Sequence, residues 1–179
     1  HQGVAADIRA HRMQPLLDFL AQRNGRQYKT SVVLLDGVHN PANVGMIIRT
    51  ATAAGLDGII IPEKGTSSIN PVAIKASAGT VFKAPIVRVD TVGNALDQLI
   101  QNRFEILGLE TSGESIFEAE LPERIALVLG NETSGLSKET SESLSRIISI
   151  PLTNNIESLN VAASAAIASY EIFRRSSAG

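Results

Sequence analysis

The chain has 179 residues, a formal net charge of −2 and no cysteine, and 44% of its residues are hydrophobic but only 4% aromatic. This length allows one domain with a substantial aliphatic core, and the lack of cysteine excludes disulfides, thiolate metal sites and cysteine nucleophiles. No apolar run reaches the roughly 18 residues of a membrane-spanning helix and no signal peptide is evident, so we expect a soluble, cytoplasmic protein without a membrane partner. The three histidines lack metal-ligand spacing, so we expect no metal site.

Strands and helices alternate along most of the chain. After a helix near Gln14–Gln22, the predicted strands are 31–35, 58–61, 85–89, 104–109, 125–129 and 147–150. The predicted helices are 44–54, 71–77, 92–101, 138–144 and a long last helix that begins near Ser158. Alternation of this kind is typical of an α/β fold with a parallel, doubly wound sheet. We predict one such domain over residues 31–179, preceded by a leading or linker segment over residues 1–30.

Polar residues concentrate in three loops, each after a predicted strand. The first loop leads into a helix that carries Asn43 and Arg49. The second, GNETSG, contains Glu132, and the third contains Ser158 and Asn160. Because open α/β sheets bind ligands at the carboxyl ends of their strands, we predict that one cleft collects these five residues.

Each loop also has a purely structural interpretation. Asn43 could serve only as a helix cap, with Arg49 as a surface residue, and Ser158 with Asn160 could cap the last helix. The glycines of GNETSG could form a turn, or they could let a ligand approach the backbone closely. The first strand–helix turn contains no G-x-G-x-x-G, which argues against an ordinary dinucleotide-binding site.

At these loops the chain resembles the SpoU (TrmH) branch of the SPOUT RNA methyltransferases. The resemblance runs from about Val32 to Phe173 and rests on three ordered segments, NPANVGMIIRTA from Asn40, LVLGNETSGLS from Leu127 and ISIPLTNNIESLNVAASAAI from Ile148. The opening HQGVAADI resembles the join between an N-terminal RNA-binding domain and the catalytic domain in the family's 23S ribosomal RNA guanosine 2′-O-methyltransferases. From this resemblance we expect that such an N-terminal domain is missing from this chain.

The resemblance implies a fold and a cofactor that residue patterns alone do not. The family threads its C-terminal part through a deep trefoil knot, although knots are otherwise nearly absent from proteins. Its knotted loops bind S-adenosyl-L-methionine, largely through backbone groups. The matching cofactor-binding positions here are Thr111, Gly130, Ile150 and Leu159.

The resemblance also implies a homodimer. The last helix is rich in alanine, with Ala162, Ala163, Ala165, Ala166 and Ala168 in its first half. A surface of small side chains suits close packing, either on a second copy of the chain or on another helix within the chain. Ala162 stands where the family more often has serine, and the net negative charge is unusual for an RNA-binding enzyme.

The implied reaction is S-adenosylmethionine-dependent methylation of a ribose 2′-hydroxyl in structured RNA, with guanosine in 23S ribosomal RNA as the favoured target. The implied catalytic set is Arg49, Asn43, Glu132, Ser158 and Asn160. Because a guanidinium stays protonated in proteins, we expect Arg49 to grip an RNA phosphate and align the hydroxyl, and not to act as a base. The alternatives are transfer RNA as the substrate, a catalytically silent RNA-binding or ribosome-assembly factor, and an ordinary nucleotide-binding enzyme.

Overall fold

The computed structural model describes residues 13–23 and 29–177, and its framework is a seven-stranded sheet. In chain order the strands of this part of the chain are β1 Gln14–Pro15, β2 Thr30–Leu35, β3 Gly58–Pro62, β4 Ile86–Val89, β5 Glu105–Ser115, β6 Arg124–Leu129 and β7 Arg146–Ser149. Their order in the sheet is β1-β4-β3-β2-β6-β5-β7, and each neighbouring pair is parallel.

Helices connect the strands and cover the sheet. The α-helices in the described residues are α1 Leu16–Ala21, α2 Pro41–Ala53, α3 Pro71–Ala76, α4 Val92–Gln101, α5 Lys138–Ser143 and α6 Val161–Ser177, with one 3-10 turn at Thr80–Phe82. Within these residues, no helix has the length and apolar character that crossing a membrane requires.

Alternation of side chains along the strands divides the core into two layers. On the central strand β2, Val33 and Leu35 belong to one apolar cluster, which α2, the 3-10 turn and α6 cover. Val32 and Leu34 belong to the other cluster, which α1 and α4 cover. The predicted parallel sheet with helices on both faces is therefore confirmed, whereas the trefoil knot stays a prediction of the resemblance.

Two predicted helix starts are wrong, and the caps explain why. Helix α2 begins at Pro41, three residues before the predicted start, because the Asn40 side chain accepts the N–H of Ala42 and proline suits the first helical position. Helix α6 begins at Val161 and not near Ser158, because the Asn160 side chain accepts two N–H groups of its first turn. Asn43 and Ser158 are therefore not caps.

Strand β5 is longer than predicted and has a break that shapes the site. It pairs with β7 up to Leu109 and again from Glu114, with a register shift between them. Residues 110–113 are left out of the ladder, and the backbone of Gly113 lies so close to Ile147 and Ile148 that a β-carbon there would be 2.6 Å from their main-chain atoms. The break turns residues 110–112 toward the neighbouring carboxyl end of β6, where they line a cavity.

The alanines of α6 face two environments. Ala162, Ala165 and Ala168 are buried in the core, and α6 packs against α2. These three residues therefore serve helix packing within the chain, whereas Ala163 is exposed and Ala166 is half-buried.

Candidate functional site

A cavity of about 350 Å³ lies at the carboxyl ends of β6 and β7 and at the break in β5. Three segments form its walls: the break in β5, the loop after β6, and the connection from β7 into α6. Its lining residues are Leu109, Glu110, Thr111, Ser112, Leu129, Gly130, Asn131, Glu132, Thr133, Gly135, Leu136, Ile150, Leu152, Glu157, Ser158, Leu159, Val161 and Ser164. The position agrees with the rule that parallel α/β sheets bind ligands outside the carboxyl ends of their strands.

The four positions predicted to hold a cofactor lie together around this cavity. Thr111 comes from the break in β5, Gly130 from the end of β6, and Ile150 and Leu159 from the connection into α6. The lining combines apolar side chains with hydroxyl, amide and carboxylate groups, which suits a ligand with one flat apolar part and one polar part.

The loop after β6 is held in a tight turn by its own backbone. Asn131 and Gly135 exchange two backbone hydrogen bonds, of 2.9 and 3.0 Å. A β-carbon at Gly130 would lie 2.6 Å from the carbonyl carbon of Gly135, so only glycine permits this closure. Gly135 has φ +70°, a conformation that also favours glycine. The two glycines of the predicted loop are thus needed to form the turn. This turn forms one wall of the cavity.

Asn131 holds this turn together and joins it to a second loop. Its side-chain oxygen accepts the N–H groups of Thr133 at 2.8 Å and Ser134 at 3.0 Å. Its side-chain nitrogen donates to the carbonyl of Gly37, after β2, at 2.8 Å. Sequence reasoning did not single out Asn131 as a site residue, although an asparagine two residues before such N–H groups is the signal of an Asx turn.

Three of the predicted catalytic residues form a chain of side-chain hydrogen bonds. Asn160 donates to the Asn43 oxygen at 3.2 Å, and Asn43 donates in turn to the Glu132 carboxylate. Asn43 is buried on α2, while Glu132 and Asn160 are on the exposed loops. The chain therefore connects three segments that are far apart in sequence, and it orients the Glu132 carboxylate at the cavity wall.

The other two predicted catalytic residues lie apart from this chain. Ser158 lines the cavity in the exposed connection before α6. Arg49 is exposed on α2 and is not among the lining residues. Among the residues that the structure describes, no hydrogen bond or ion pair engages the Arg49 guanidinium.

Gly45, which lies in the first of the three resembling segments, has a packing role. A β-carbon at Gly45 would overlap the carbonyl oxygen of Ala73 and would touch Ala76, so α2 and α3 meet there at backbone distance. Gly45 therefore positions the helix that carries Asn43, and it does not contact the cavity itself.

The connection into α6 gets its shape from two unusual residues. Asn154 and Asn155 have φ values of +58° and +55°, in the left-handed region that asparagine tolerates better than most residues. This double turn reverses the chain after Pro151 and brings Ser158 and Leu159 to the cavity.

Comparison with known proteins gives a consistent result. Residues 30–170 match the SpoU rRNA Methylase family. A relative from Staphylococcus aureus strain MSSA476, whose description assigns it to the TrmH family of tRNA/rRNA methyltransferases, is 34% identical over 176 residues. That match covers 98% of this chain and 71% of the relative.

Solved structures agree with the sequence matches. The SpoU methyltransferase AviRb from Streptomyces viridochromogenes, in complex with the cofactor AdoMet, superposes with a TM-score of 0.79 at 30% identity. This match covers 88% of the present chain and 65% of AviRb, so the chain spans about two-thirds of that protein's length. A structure described by its role in the 2-OH methylation of C/U34 on tRNA gives a TM-score of 0.73 at 25% identity, over 84% of this chain and 99% of that one.

Proposed function

The chain belongs to the SpoU rRNA methylase family, and from this membership we propose that it transfers a methyl group from S-adenosylmethionine to a ribose 2′-hydroxyl of a structured RNA. The membership confirms the resemblance read from the three loops, and with it the expected enzyme class and cofactor. The observation that carries the proposal is the cavity at the break in β5 and the carboxyl ends of β6 and β7, which the four expected cofactor positions line together.

The residues around the cavity fit S-adenosylmethionine. The volume of about 350 Å³ lies within the range of small-molecule sites. Leu109, Leu129 and Ile150 offer apolar surface for a base, while the turn at Gly130 exposes backbone groups. The bound cofactor would supply an electrophilic methyl group for in-line displacement by the acceptor oxygen.

The hydrogen-bonded chain Asn160–Asn43–Glu132 has a positioning role in this proposal. It ties the wall of the cavity to the start of α2 and to the first turn of α6. An acceptor hydroxyl placed against these segments would keep one orientation toward the methyl donor. Fixed orientation of the two reactants supplies much of the rate enhancement of a group transfer.

Arg49 supplies the contact with RNA in this proposal. An exposed guanidinium without a protein partner in the described residues is free to hold a phosphate in the bidentate geometry that arginine favours. Its charge is permanent, so Arg49 aligns the nucleotide, and the proton of the hydroxyl passes to a phosphate oxygen or a neighbouring group.

Guanosine in ribosomal RNA is the acceptor that we propose, on the similarity of the opening HQGVAADI to the 23S-specific branch. Transfer RNA is the second candidate, because one of the similar structures concerns methylation of C/U34 on tRNA.

A homodimer forms part of the proposal, and the exposed side of α6 is the surface that supports it. Tyr170 and Phe173 are 49% and 47% exposed and stack edge to face with their centroids 6.2 Å apart. The half-buried Ile167 and the exposed Ala163 continue this apolar stripe about one and two turns earlier. Light scattering on the purified protein should give twice the chain mass, and Tyr170→Glu should lower it to one chain.

Methyl transfer from tritiated S-adenosylmethionine to purified ribosomal RNA and to transfer RNA tests the proposal. The expected result is label in ribosomal RNA, recovered as 2′-O-methylguanosine after nuclease digestion and mass spectrometry. Label in transfer RNA alone would show that transfer RNA, and not ribosomal RNA, is the acceptor. Cofactor binding without transfer to either RNA would favour the silent RNA-binding factor.

A further inference from the structure

The charged residues that line the cavity all have the same sign. They are Glu110, Glu132 and Glu157, and among the described residues no Lys, Arg or His lines the cavity with them. A site for an anionic or neutral ligand does not need three carboxylates, because uncompensated like charges around one cavity repel one another. This distribution therefore points to a ligand that carries net positive charge.

Two of these carboxylates have no partner of their own. Glu132 accepts the hydrogen bond from Asn43, whereas Glu110 and Glu157 form neither a hydrogen bond nor an ion pair within residues 13–23 and 29–177. Glu110 is half-buried in the break of β5, and Glu157 is exposed in the connection into α6. The two residues line the cavity from two different walls.

A metal ion does not explain this arrangement. Metal coordination needs several ligands at one point, and no group of three or more Asp, Glu, His or Cys side chains in the described part of the chain is close enough to hold one. Carboxylates that are spread around a cavity instead produce a negative potential over its whole volume, which suits a larger organic cation.

We propose that Glu110 and Glu157 make the cavity selective for the positively charged methyl donor over the neutral product of transfer. This inference rests on the proposed function. When the acceptor oxygen forms its bond to the methyl carbon, the S–CH₃ bond breaks, sulfur keeps the electron pair, and the hydroxyl proton passes to a phosphate oxygen of the RNA or to a neighbouring group. The sulfonium becomes a neutral thioether, and the attraction of the two carboxylates for that charge ends. The product S-adenosylhomocysteine then leaves without electrostatic retention, and the next donor is favoured.

The expected size of the effect follows from Coulomb's law at the water-exposed mouth of a site. One carboxylate a few ångströms from a unit positive charge changes affinity by about three- to tenfold when water screens most of the interaction. We expect wild-type protein to prefer S-adenosylmethionine over S-adenosylhomocysteine by about tenfold, and each single neutralisation to reduce this ratio by about threefold.

Calorimetric titration of the whole chain with three ligands tests the inference. The ligands are S-adenosylmethionine, S-adenosylhomocysteine and sinefungin, an analogue in which an amine supplies the positive charge. The variants are Glu110→Gln and Glu157→Gln, which keep side-chain shape, and the control is Glu118→Gln, which removes an exposed charge that does not line the cavity.

The expected result is that both cationic ligands bind wild type and the control more tightly than S-adenosylhomocysteine does, with a smaller ratio in the two cavity variants. Equal affinity for all three ligands in wild type, or a ratio that the variants leave unchanged, would overturn the inference while cofactor binding itself persists. Failure of all three ligands to bind folded protein would instead overturn the proposed function.

Discussion

Asn131 offers the sharpest test of how the cavity wall is built. Its side chain makes three hydrogen bonds, to the N–H groups of Thr133 and Ser134 and to the carbonyl of Gly37. Each such bond contributes about 1 kcal/mol net. The two N–H groups lie in an exposed turn and regain water when the side chain is removed, so we expect Asn131→Ala to lower the free energy of unfolding by about 2 kcal/mol.

Asn131→Ala should also weaken ligand binding. Without the side chain, the turn loses its link to the loop after β2, and its backbone groups no longer hold one position at the cavity. We expect the affinity for S-adenosylmethionine to fall by about tenfold or more, because the turn must be ordered anew on binding. Urea denaturation followed by circular dichroism measures the first quantity, and calorimetric titration measures the second.

Two further variants separate the roles of the Asn131 side chain. Asn131→Asp keeps the oxygen that accepts from the turn but replaces the donor to Gly37 with a negative charge, so it should retain the turn and lose the link. Ser134→Ala is a control in the same turn, because its exposed side chain does not line the cavity. Unchanged cofactor affinity in Asn131→Ala, or an equal loss of affinity in Ser134→Ala, would show that the Asn131 side chain does not hold the cavity wall.

The remaining predictions concern packing, charge and catalysis. Gly45→Ala should destabilise the fold by about 2 kcal/mol, because the new methyl group overlaps a carbonyl of α3; urea denaturation measures this. Hydrogen bonds from Arg174 and then Arg175 lower the pKa of Glu171 from 4.5 to about 2. The contribution of Glu171 to stability is therefore complete above pH 4.5 and is lost as the pH falls toward 2. The free energy of unfolding, measured at several pH values, should depend less steeply on pH in Glu171→Gln than in wild type. Arg49→Ala should lower kcat strongly and leave cofactor affinity unchanged, and Arg49→Lys should recover only part of the rate.

Each of these predictions has a contrary outcome. A Gly45→Ala variant as stable as wild type would mean that α2 and α3 separate without cost. If the free energy of unfolding falls with pH equally in wild type and Glu171→Gln, the Glu171 carboxylate does not contribute to acid stability. Loss of cofactor binding in Arg49→Ala, with normal turnover by the complex that still forms, would contradict a role in holding RNA.

The sheet was predictable from sequence because its strands are short apolar runs. Segments such as SVVLL and IALVL have no competing helical pattern, and helical segments separate most of the neighbouring strands along the chain. The two-residue strand β1 was missed, since Gln14–Pro15 carries no periodicity of its own and is a strand only through its pairing with β4.

Helix starts were less predictable, because several polar residues compete to cap each helix. In NPAN the choice lies between Asn40 and Asn43, and proline at position 41 decides it in favour of Asn40. In ESLN the choice lies between Ser158 and Asn160, and the apolar contacts of Val161 and Ala162 with the core decide it. Both decisions depend on packing that local sequence does not contain.

The sequence indicated which loops form the candidate site, but it did not indicate how their residues are arranged around the cavity. Loops at strand ends brought Glu132 and Ser158 to one cavity, as the sheet rule requires. The register break that leads Glu110 to the same cavity depends on the approach of Gly113 to β7, and no local pattern encodes it. The function of glycine was also ambiguous, because close approach to a ligand and close approach to another backbone demand the same residue.

Calorimetric titration of S-adenosylmethionine into wild type and into Ser164→Phe determines whether this cavity is the site of the methyl donor. Ser164 lines the cavity from the first turn of α6, and a phenyl ring there would occupy the volume. We expect saturable binding by wild type at one site per chain, and no binding by a Ser164→Phe protein whose circular dichroism is unchanged. Equal binding by both proteins would place the donor elsewhere, and no binding by folded wild type would contradict the claim outright.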